Sequence, residues 1–545
     1  MAGGEREGDV RRPAASSCVP GVANYNVKTW VGQGKSRRPE RQAMTEIHLR
    51  CDWQKPATPF RHTWEGLVNV DQFRWLVRRD LQDHLRLAHD ELNARHVRAV
   101  GMLDDEMRVL TGDPTNFGKP APPGGHPPRI NWQLVDYVID SLLDIGLSPM
   151  FTTSFMPGAL ASGERTVFTT RGRISPPKDP AAWASLVTDG VRHMLWRYGK
   201  ETVRRWYFEV WNEPNLQNGF FEGTQAQFFE LWKATWRAIK AADADLRIGG
   251  PSTARGEWLA ELLEWTRRER CMPDYLIAHI YNNDSAVQPL SPFDGPQEDK
   301  ASTSPHFAAG VVRGTRKLLD ELGFKGEVHW NEWGRSWWPC FPDRETANEA
   351  AFVCKTMAEV SQQADRFAYW NLSDIYDQAG YGRETFHGNY GLLNLQGLRK
   401  PAWHAFQLLG RLGDERLPVA GTGTSPCLNA LATRNPDAVL VYAYEPAETY
   451  ARGCIRAGVT LPPGTRERSL RLYRVTQDEN NILRRWEELG RPAYLRREET
   501  ERLREANRLA PAEGATSLRE VDGTPTIHFE LQTPGVALLE IAAPA

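Results

Sequence analysis

Two glutamates stand where a chain could do acid–base and nucleophilic work. The segment Trp206-Tyr207-Phe208-Glu209-Val210-Trp211-Asn212-Glu213-Pro214-Asn215 reads as a β-strand that runs into a carboxylate and is stopped by proline, which cannot extend a hydrogen-bonded ladder. The segment Glu327-Val328-His329-Trp330-Asn331-Glu332-Trp333-Gly334 is a second apolar strand, and it ends in a carboxylate set between tryptophans. A glutamate at a strand end, flanked by Trp and Asn, can protonate a glycosidic oxygen while Asn212 holds a sugar hydroxyl. A second glutamate opposite it can attack the anomeric carbon. Taken singly, each has a plainer explanation as a loop cap or a salt-bridged side chain. Together they suit an acid and a nucleophile, which must differ in protonation: Glu213 neutral as general acid/base, Glu332 ionised as nucleophile.

Such a pair needs a scaffold that brings distant strand ends together. From 61 to 412 the chain alternates short β-branched or aromatic runs with longer amphipathic stretches, the pattern of repeated βα units. Eight strands are expected, near 61–70, 96–102, 147–155, 205–213, 246–251, 274–281, 327–333 and 366–372. This predicts an α/β fold, a (β/α)8 TIM barrel with chemistry at the C-terminal ends of its strands. A doubly wound sheet is the competing architecture, but no GxGxxG follows a strand. The two glutamates are 119 residues apart and fall on the fourth and seventh strands, which face each other across a barrel mouth. There they can approach the roughly 5–5.5 Å that double displacement with retention requires. Phe155, His279, Tyr281 and Trp370 are expected as further wall residues at strand ends, Trp370 as a stacking platform. A lone His on an apolar strand is as readily a satisfied core residue.

Beyond Leu417 the texture changes to short alternating strands such as 438–444 and 536–541, which suggest an accessory C-terminal β-sandwich over 416–545. An Arg/Glu-rich helical insertion is expected near 480–509, its charges forming a solvated face. Residues 1–43 have the composition of a flexible tail, and the polar/apolar alternation from Met44 marks a strand within 44–60 that is expected to join the sandwich, leaving 61–415 as the catalytic barrel. Met44 is itself a candidate start. The 545 residues are 41% hydrophobic and 25% charged, with a net charge of -2, so nothing attracts nucleic acid or anionic lipid. No apolar run long enough for a membrane span or a signal peptide is evident, and a cytoplasmic location is the expectation. Seven scattered cysteines without a CxxC pair argue against structural disulfides and zinc ribbons. Twenty tryptophans supply flat rings for a large core and for stacking on sugars.

The chain resembles glycoside hydrolase family 39, which contains β-xylosidases and α-L-iduronidases. The resemblance rests on Ser154-Phe155-Met156-Pro157-Gly158-Ala159-Leu160-Ala161-Ser162-Gly163, Pro176-Pro177-Lys178-Asp179, Trp206 through Asn215, 386–397, Lys400-Pro401-Ala402-Trp403-His404 and the segment around 486–492. It implies an acid/base at Glu213, a nucleophile at Glu332, sugar contacts from Arg98, Phe155, Asn212, His279, Tyr281 and Trp370, and no metal or organic cofactor. Asn215 resembles the xylosidase branch. Three positions depart from the family pattern: Val100 stands where the xylosidases carry a His, Asn331 where Thr is common, and Asp377-Gln378 where an acidic pair is usual. Asp377 is therefore a further candidate for substrate binding. The expectation is a retaining exo-β-glycosidase acting on a small glycoside or oligosaccharide, with β-xylosidase as the best reading. The alternatives are another glycone (glucoside, arabinoside or uronide) or a catalytically silent carbohydrate-binding protein. A homo-oligomer is compatible with the sequence.

Overall fold

The computed structural model describes residues 45–111, 129–169, 171–284, 304–378, 382, 384–447, 449–465, 468–513, 517–521 and 523–542. The expected tail at 1–43 lies outside the described residues. Eight parallel strands form one sheet in sequence order: β1 (Leu67–Gln72), β2 (His96–Val100), β3 (Ser148–Thr152), β4 (Tyr207–Glu209), β5 (Arg247–Thr253), β6 (Tyr275–Tyr281), β7 (Glu327–Gly334) and β8 (Arg366–Tyr369). The ring closes between β8 and β1, where Phe367 N–H donates to Thr63 O (2.8 Å), Leu372 N–H to Asn69 O (2.9 Å) and the Asn69 amide to Tyr369 O (3.2 Å). The helices between strands are α1 (Arg79–Leu92), α2 (Gln133–Ile145), α3 (Pro180–Tyr198), α4 (Gln225–Ala242), α5 (Leu259–Glu269), α6 (Phe307–Glu321), α7 (Ala347–Val360) and α8 (Pro401–Leu409). This is the (β/α)8 barrel. Local chemistry sets its helix starts. Asp179 caps α3 ahead of Pro180, and Thr224 with Gln227 forms a capping box on α4.

Several strands differ from the sequence expectation at their ends, the third stopping at Thr152 and the eighth at Tyr369, and two differ most. The first starts at Leu67 rather than 61, since His62, Trp64 and Glu65 make a turn in which Glu65 N–H donates to His62 O (3.1 Å). The fourth ends at Glu209, so Glu213 stands in a turn past the strand. The physical reason is Trp211, whose indole is drawn between Phe155 and Phe221 and donates to Phe220 O (2.9 Å), which breaks the alternation.

A six-stranded sheet lies against the barrel, in the order Thr58–Pro59, Glu415–Leu417, Leu428–Arg434, Asp437–Ala443, Gly535–Ile541 and Leu470–Val475. A five-stranded sheet runs Val419–Thr422, Thr45–Cys51, Gly453–Thr460, Thr524–Thr533 and Ser517–Val521. Side-chain alternation explains why 438–443 is apolar throughout. Val439 and Val441 face the second sheet in the sandwich core, whereas Leu440 and Tyr442 join the barrel core. Each such burial contributes about 1.5–3 kcal/mol. The helical insertion is two short helices, α9 (Ile482–Glu488) and α10 (Arg497–Ala506), parted at Gly490 and Pro492. Ile482, Trp486 and Leu503 pack on Phe386 and Leu398, so the insertion braces the segment after β8. Among the described residues no helix is long and apolar enough to cross a membrane.

Candidate active site

The site is built around one buried cation. Arg98, from β2, is wholly buried and donates from Nε (2.8 Å) and Nη2 (3.0 Å) to the two oxygens of Glu209 at the end of β4. Its Nη2 also reaches Asn212 Oδ1 (2.6 Å), and its Nη1 reaches Glu332 Oε2 (3.3 Å) and Asn69 Oδ1 (3.4 Å). Glu209 further accepts from Thr152 Oγ1 (2.7 Å), Asn331 Nδ2 (3.1 Å) and the Ser252 hydroxyl. Although burial opposes its charge, Arg98 and these donors hold its carboxyl below the usual range. A fully satisfied buried pair of this kind rigidifies what stands on it.

Above it stand Glu213 and Glu332, each 7% exposed. One oxygen of each and one nitrogen of His279 lie within 4.8 Å of one another. Three strand ends achieve this. Glu332 sits on β7 beside His279 on β6, across a bulge at Ala278 and His279. Glu213 is held by its N–H on Ser252 O (2.8 Å), with positive φ at Trp211 (69°), Glu213 (46°) and Ser252 (59°). Non-glycine residues rarely adopt that conformation, and strain of this kind gathers at functional sites.

The two carboxyls differ in their surroundings. Glu332 receives the Arg98 guanidinium and the Tyr281 hydroxyl, the latter donating to Oε1 at 2.6 Å. Burial and the neighbouring Glu213 raise its pKa, and His279, Arg98 and Tyr281 oppose that rise. Among the described residues the Glu213 carboxyl has one close polar partner, His279 Nδ1 at 3.0 Å from Oε1, and burial pushes it up to about 7. His279, buried beside Arg98, is pushed down to about 4 and is neutral near pH 7. Neutrality leaves its tautomer to be set by hydrogen bonds. The Ser252 proton is committed to Glu209 and both Nη2 hydrogens of Arg98 are used. His279 Nε2 at 3.1 Å from Ser252 Oγ therefore carries the proton. Nδ1 is left as an acceptor for the proton of Glu213.

Among the described residues Glu213, His279 and Glu332 are the group that converges as metal ligands do. Their lone pairs are engaged by Tyr281, Arg98 and one another, and a guanidinium 3.3 Å from Glu332 opposes a cation.

The other expected contacts divide. Asn212 Oδ1 accepts from Arg98, and its amide NH2 donates to no protein acceptor among the described residues. Tyr281 and Trp370 form an aromatic cluster with Tyr376 and Tyr390, and a Cβ at Gly334 would meet the Tyr281 ring at 3.2 Å, which accounts for glycine after Trp333. Asp377 accepts from Arg74 Nη2 (2.9 Å) and Thr169 Oγ1 (2.9 Å), and its Oδ1 is buried without a partner among the described residues. Arg98 and Phe155 are placed differently from the expected sugar contacts. Arg98 is spent on carboxylates, and Phe155 is 0% exposed, packed on Phe168, Trp211 and Phe220. Asn215 is bonded to the 254–257 loop through Ala254 N–H (2.9 Å) and Glu257 Oε2 (2.9 Å), and Val100 belongs to the barrel core. Glu209, Ser252 and Asn69 were not singled out from the sequence. Glu209 had a signal, a second glutamate in a strand too apolar to leave it solvated.

The sequence profile of Glycosyl hydrolases family 39 matches residues 47–523. A β-xylosidase of Caldicellulosiruptor saccharolyticus is 34% identical over 448 residues, 82% of this chain and 88% of that protein. A β-xylosidase of Geobacillus stearothermophilus is 29% identical over 487 residues, 88% of this chain and 93% of that one. The crystal structure of a monomeric β-xylosidase from Caulobacter crescentus CB15 superimposes with a TM-score of 0.77 at 28% identity, covering 91% of this chain and all of that one. The eight-stranded barrel, the length of the match and the degree of identity lead to one conclusion: the chain belongs to glycosyl hydrolase family 39, and it is a glycoside hydrolase.

Proposed function

We propose that the protein is a retaining exo-β-glycosidase of β-xylosidase type, with Glu332 as nucleophile and Glu213 as general acid/base. The observation that carries this reading is the approach of the two carboxyls, one oxygen of each within 4.8 Å. Inverting enzymes keep their carboxyls about 6.5–9.5 Å apart to admit a water, whereas double displacement needs about 5–5.5 Å. The surroundings support the division of roles. Glu332, hydrogen-bonded by Arg98 and Tyr281, is the better anion, and Glu213, near 7 and facing His279, is the better acid. In the first step Glu332 attacks the anomeric carbon as Glu213 gives its proton to the departing oxygen. The glycosyl-enzyme removes the charge on Glu332, and Glu213, now ionised, takes a proton from the incoming water. The unused amide of Asn212 and the partnerless Oδ1 of Asp377 support hydroxyl contacts, and Trp370 supports a ring face. The xyloside assignment rests on likeness to the two bacterial β-xylosidases.

The test uses 2,4-dinitrophenyl β-xyloside with and without azide. Glu213→Ala should retain glycosylation, lose deglycosylation by roughly 10²–10⁴-fold, and recover with azide to give a β-xylosyl azide. Glu332→Ala should lose turnover with every leaving group, and any azide product should have the α configuration. The reverse stereochemistry in the two variants exchanges the roles. Full activity in either removes that residue from the mechanism.

A further inference from the structure

Glu332 sits where the barrel's hydrogen-bond ladder is irregular on both sides. Toward β8 the register runs from Trp330 opposite Phe367 to Trp333 opposite Tyr369, three steps against two, and toward β6 it shifts between Ala278 and His279. A bulge bends its strand and leaves the extra residue unpaired, so the direction of Glu332 depends on what holds the strand beyond it. Two backbone bonds hold the last residues of β7, from Trp370 N–H to Trp333 O (2.8 Å) and from Asn282 N–H to Gly334 O (3.0 Å). The next side chain is Arg335, 7% exposed and three residues after Glu332. Its guanidinium lies over the rings of Phe341 (5.0 Å) and Tyr444 (5.3 Å), donates to Asp343 Oδ2 and stands 3.8 Å from Glu349 Oε2. Asp343 also accepts from the Asn348 amide on Oδ2 (2.9 Å) and from the hydroxyls of Thr346 (2.9 Å) and Tyr450 (2.6 Å) on Oδ1. Glu349, buried on α7, accepts from the Tyr369 hydroxyl at the end of β8 (2.8 Å). Tyr444 and Tyr450 belong to the sandwich, in the connection from the strand Asp437–Ala443 to the strand Gly453–Thr460. That connection is clasped to α7, where the Asn348 amide donates to Glu445 O (2.9 Å) and its Oδ1 accepts from Glu445 N–H (2.9 Å).

We propose that Arg335 and Asp343 are positioning residues for the nucleophile, and that the sandwich, through Tyr450 and Glu445, holds them in place. This rests on reading Glu332 as the nucleophile of a retaining β-xylosidase. Its carboxylate must meet the anomeric carbon along the line of the departing bond, and a misplacement of about 1 Å costs on the order of 100-fold in rate. Arg335 suits the task, since its N–H donors form a rigid fork and its buried charge has carboxylate partners on α7 and just before it. Removing one partner of such a pair strands the other, which frees the strand exit to move. A salt bridge that served stability alone predicts a different outcome: it lowers the folded population and leaves each folded molecule as fast as before.

The experiment measures capture of the nucleophile by 2,4-dinitrophenyl 2-deoxy-2-fluoro-β-xyloside. Glu332 bonds to the anomeric carbon, dinitrophenolate leaves with the electron pair of the broken bond, and the fluorine slows hydrolysis of the resulting ester. The time course separates ki, the rate of attack, from Ki, the strength of binding. Each variant is assayed well below its Tm, so that the rate is that of folded protein. In Arg335→Met, ki should fall by about tenfold to a hundredfold while Ki stays within about threefold of the wild type. Arg335→Lys, which restores the charge without the fork, should recover part of the loss. Tyr450→Phe changes a residue of the sandwich and removes one donor to Asp343, and it should lower ki by about threefold with Ki in place. If Arg335→Met does not fold, Tyr450→Phe decides alone. A wild-type ki in either folded variant, or a loss that falls on Ki instead, overturns the positioning role. A wild type that is not captured, or is captured at a residue other than Glu332, overturns the assignment of the nucleophile, and the positioning role with it.

Discussion

At the scale of single residues, a proton's position decides which glutamate is acid. Glu209, Ser252 and His279 form a line of hydrogen bonds in which each proton points toward Glu209, and the last acceptor, His279 Nδ1, faces Glu213. An ionised Glu213 would meet a lone pair there, which adds to burial in favouring its neutral form. Deprotonation of the acid removes activity, so kcat/KM should fall as pH rises through about 7. Ser252→Ala removes the acceptor that fixes the tautomer. His279 can then carry its proton on Nδ1 and donate it to an ionised Glu213, and the alkaline limb should move to lower pH by on the order of half a unit to one unit. A profile that drops in height without moving would assign Ser252 a packing role only. Such a line is invisible in sequence, because Ser252 owes its place to a bulge and a left-handed backbone that no neighbouring residue announces. The two glutamates were singled out because each closes an aromatic run in the sequence and has a counterpart.

At the scale of elements, the long connection from β8 to α8 carries Trp370, Tyr376, Asp377 and Tyr390, and one lysine anchors it. Lys400, immediately before α8 and 1% exposed, pairs with Asp374 Oδ2 (2.7 Å) and Glu345 Oε1 (2.8 Å) and donates to Asn389 O (3.1 Å). It joins the loops after β7 and β8 to the start of a helix. Lys400→Met keeps much of the volume and strands two buried carboxylates, which should cost about 3–5 kcal/mol. Urea denaturation should read that loss, and a change below about 1 kcal/mol would show that Lys400 does not anchor the connection. Strand periodicity and the count of βα units made the barrel legible, since each unit repeats the same alternation. Where strands end was not. Trp211 follows its packing partners out of the fourth strand, and Phe155, read as a sugar contact, belongs to the same aromatic cluster. The pairing of Arg98 was not legible for a related reason: a guanidinium at a strand end serves sugar or carboxylate alike, and Glu209, two strands along the barrel, holds it here.

For the whole molecule, the acid groups that the fold keeps neutral make a prediction about pH. Burial pushes Asp71, Asp104 and Glu213 up to about 7 and Asp284 up to about 8, all of them near the barrel mouth. In the unfolded chain these carboxyls titrate near 4. Between those values the folded protein holds protons that the unfolded chain has released, so stability falls as pH rises, and the fall is complete only about a unit above the highest of them. Buried histidines act the other way, His329 among them. His84, His279 and His404 are pushed down to about 4, so below 6.5 the unfolded chain binds the more protons and stability rises with pH. That opposition is half spent at about 6.5 and has faded by about 7.5. From about pH 6.5 to 8.5 the carboxyls increasingly outweigh the histidines, and Tm should drop by several degrees. Asp104→Asn isolates one contribution. Its carbonyl can still accept the Phe155 N–H that Asp104 Oδ1 holds at 2.9 Å, and the variant has nothing to ionise. Its Tm, relative to the wild type, should therefore improve from pH 6.5 to 8.5, whatever offset the new amide imposes at both. A wild-type Tm that is flat or rising over this interval would mean that these carboxyls are ionised in the fold.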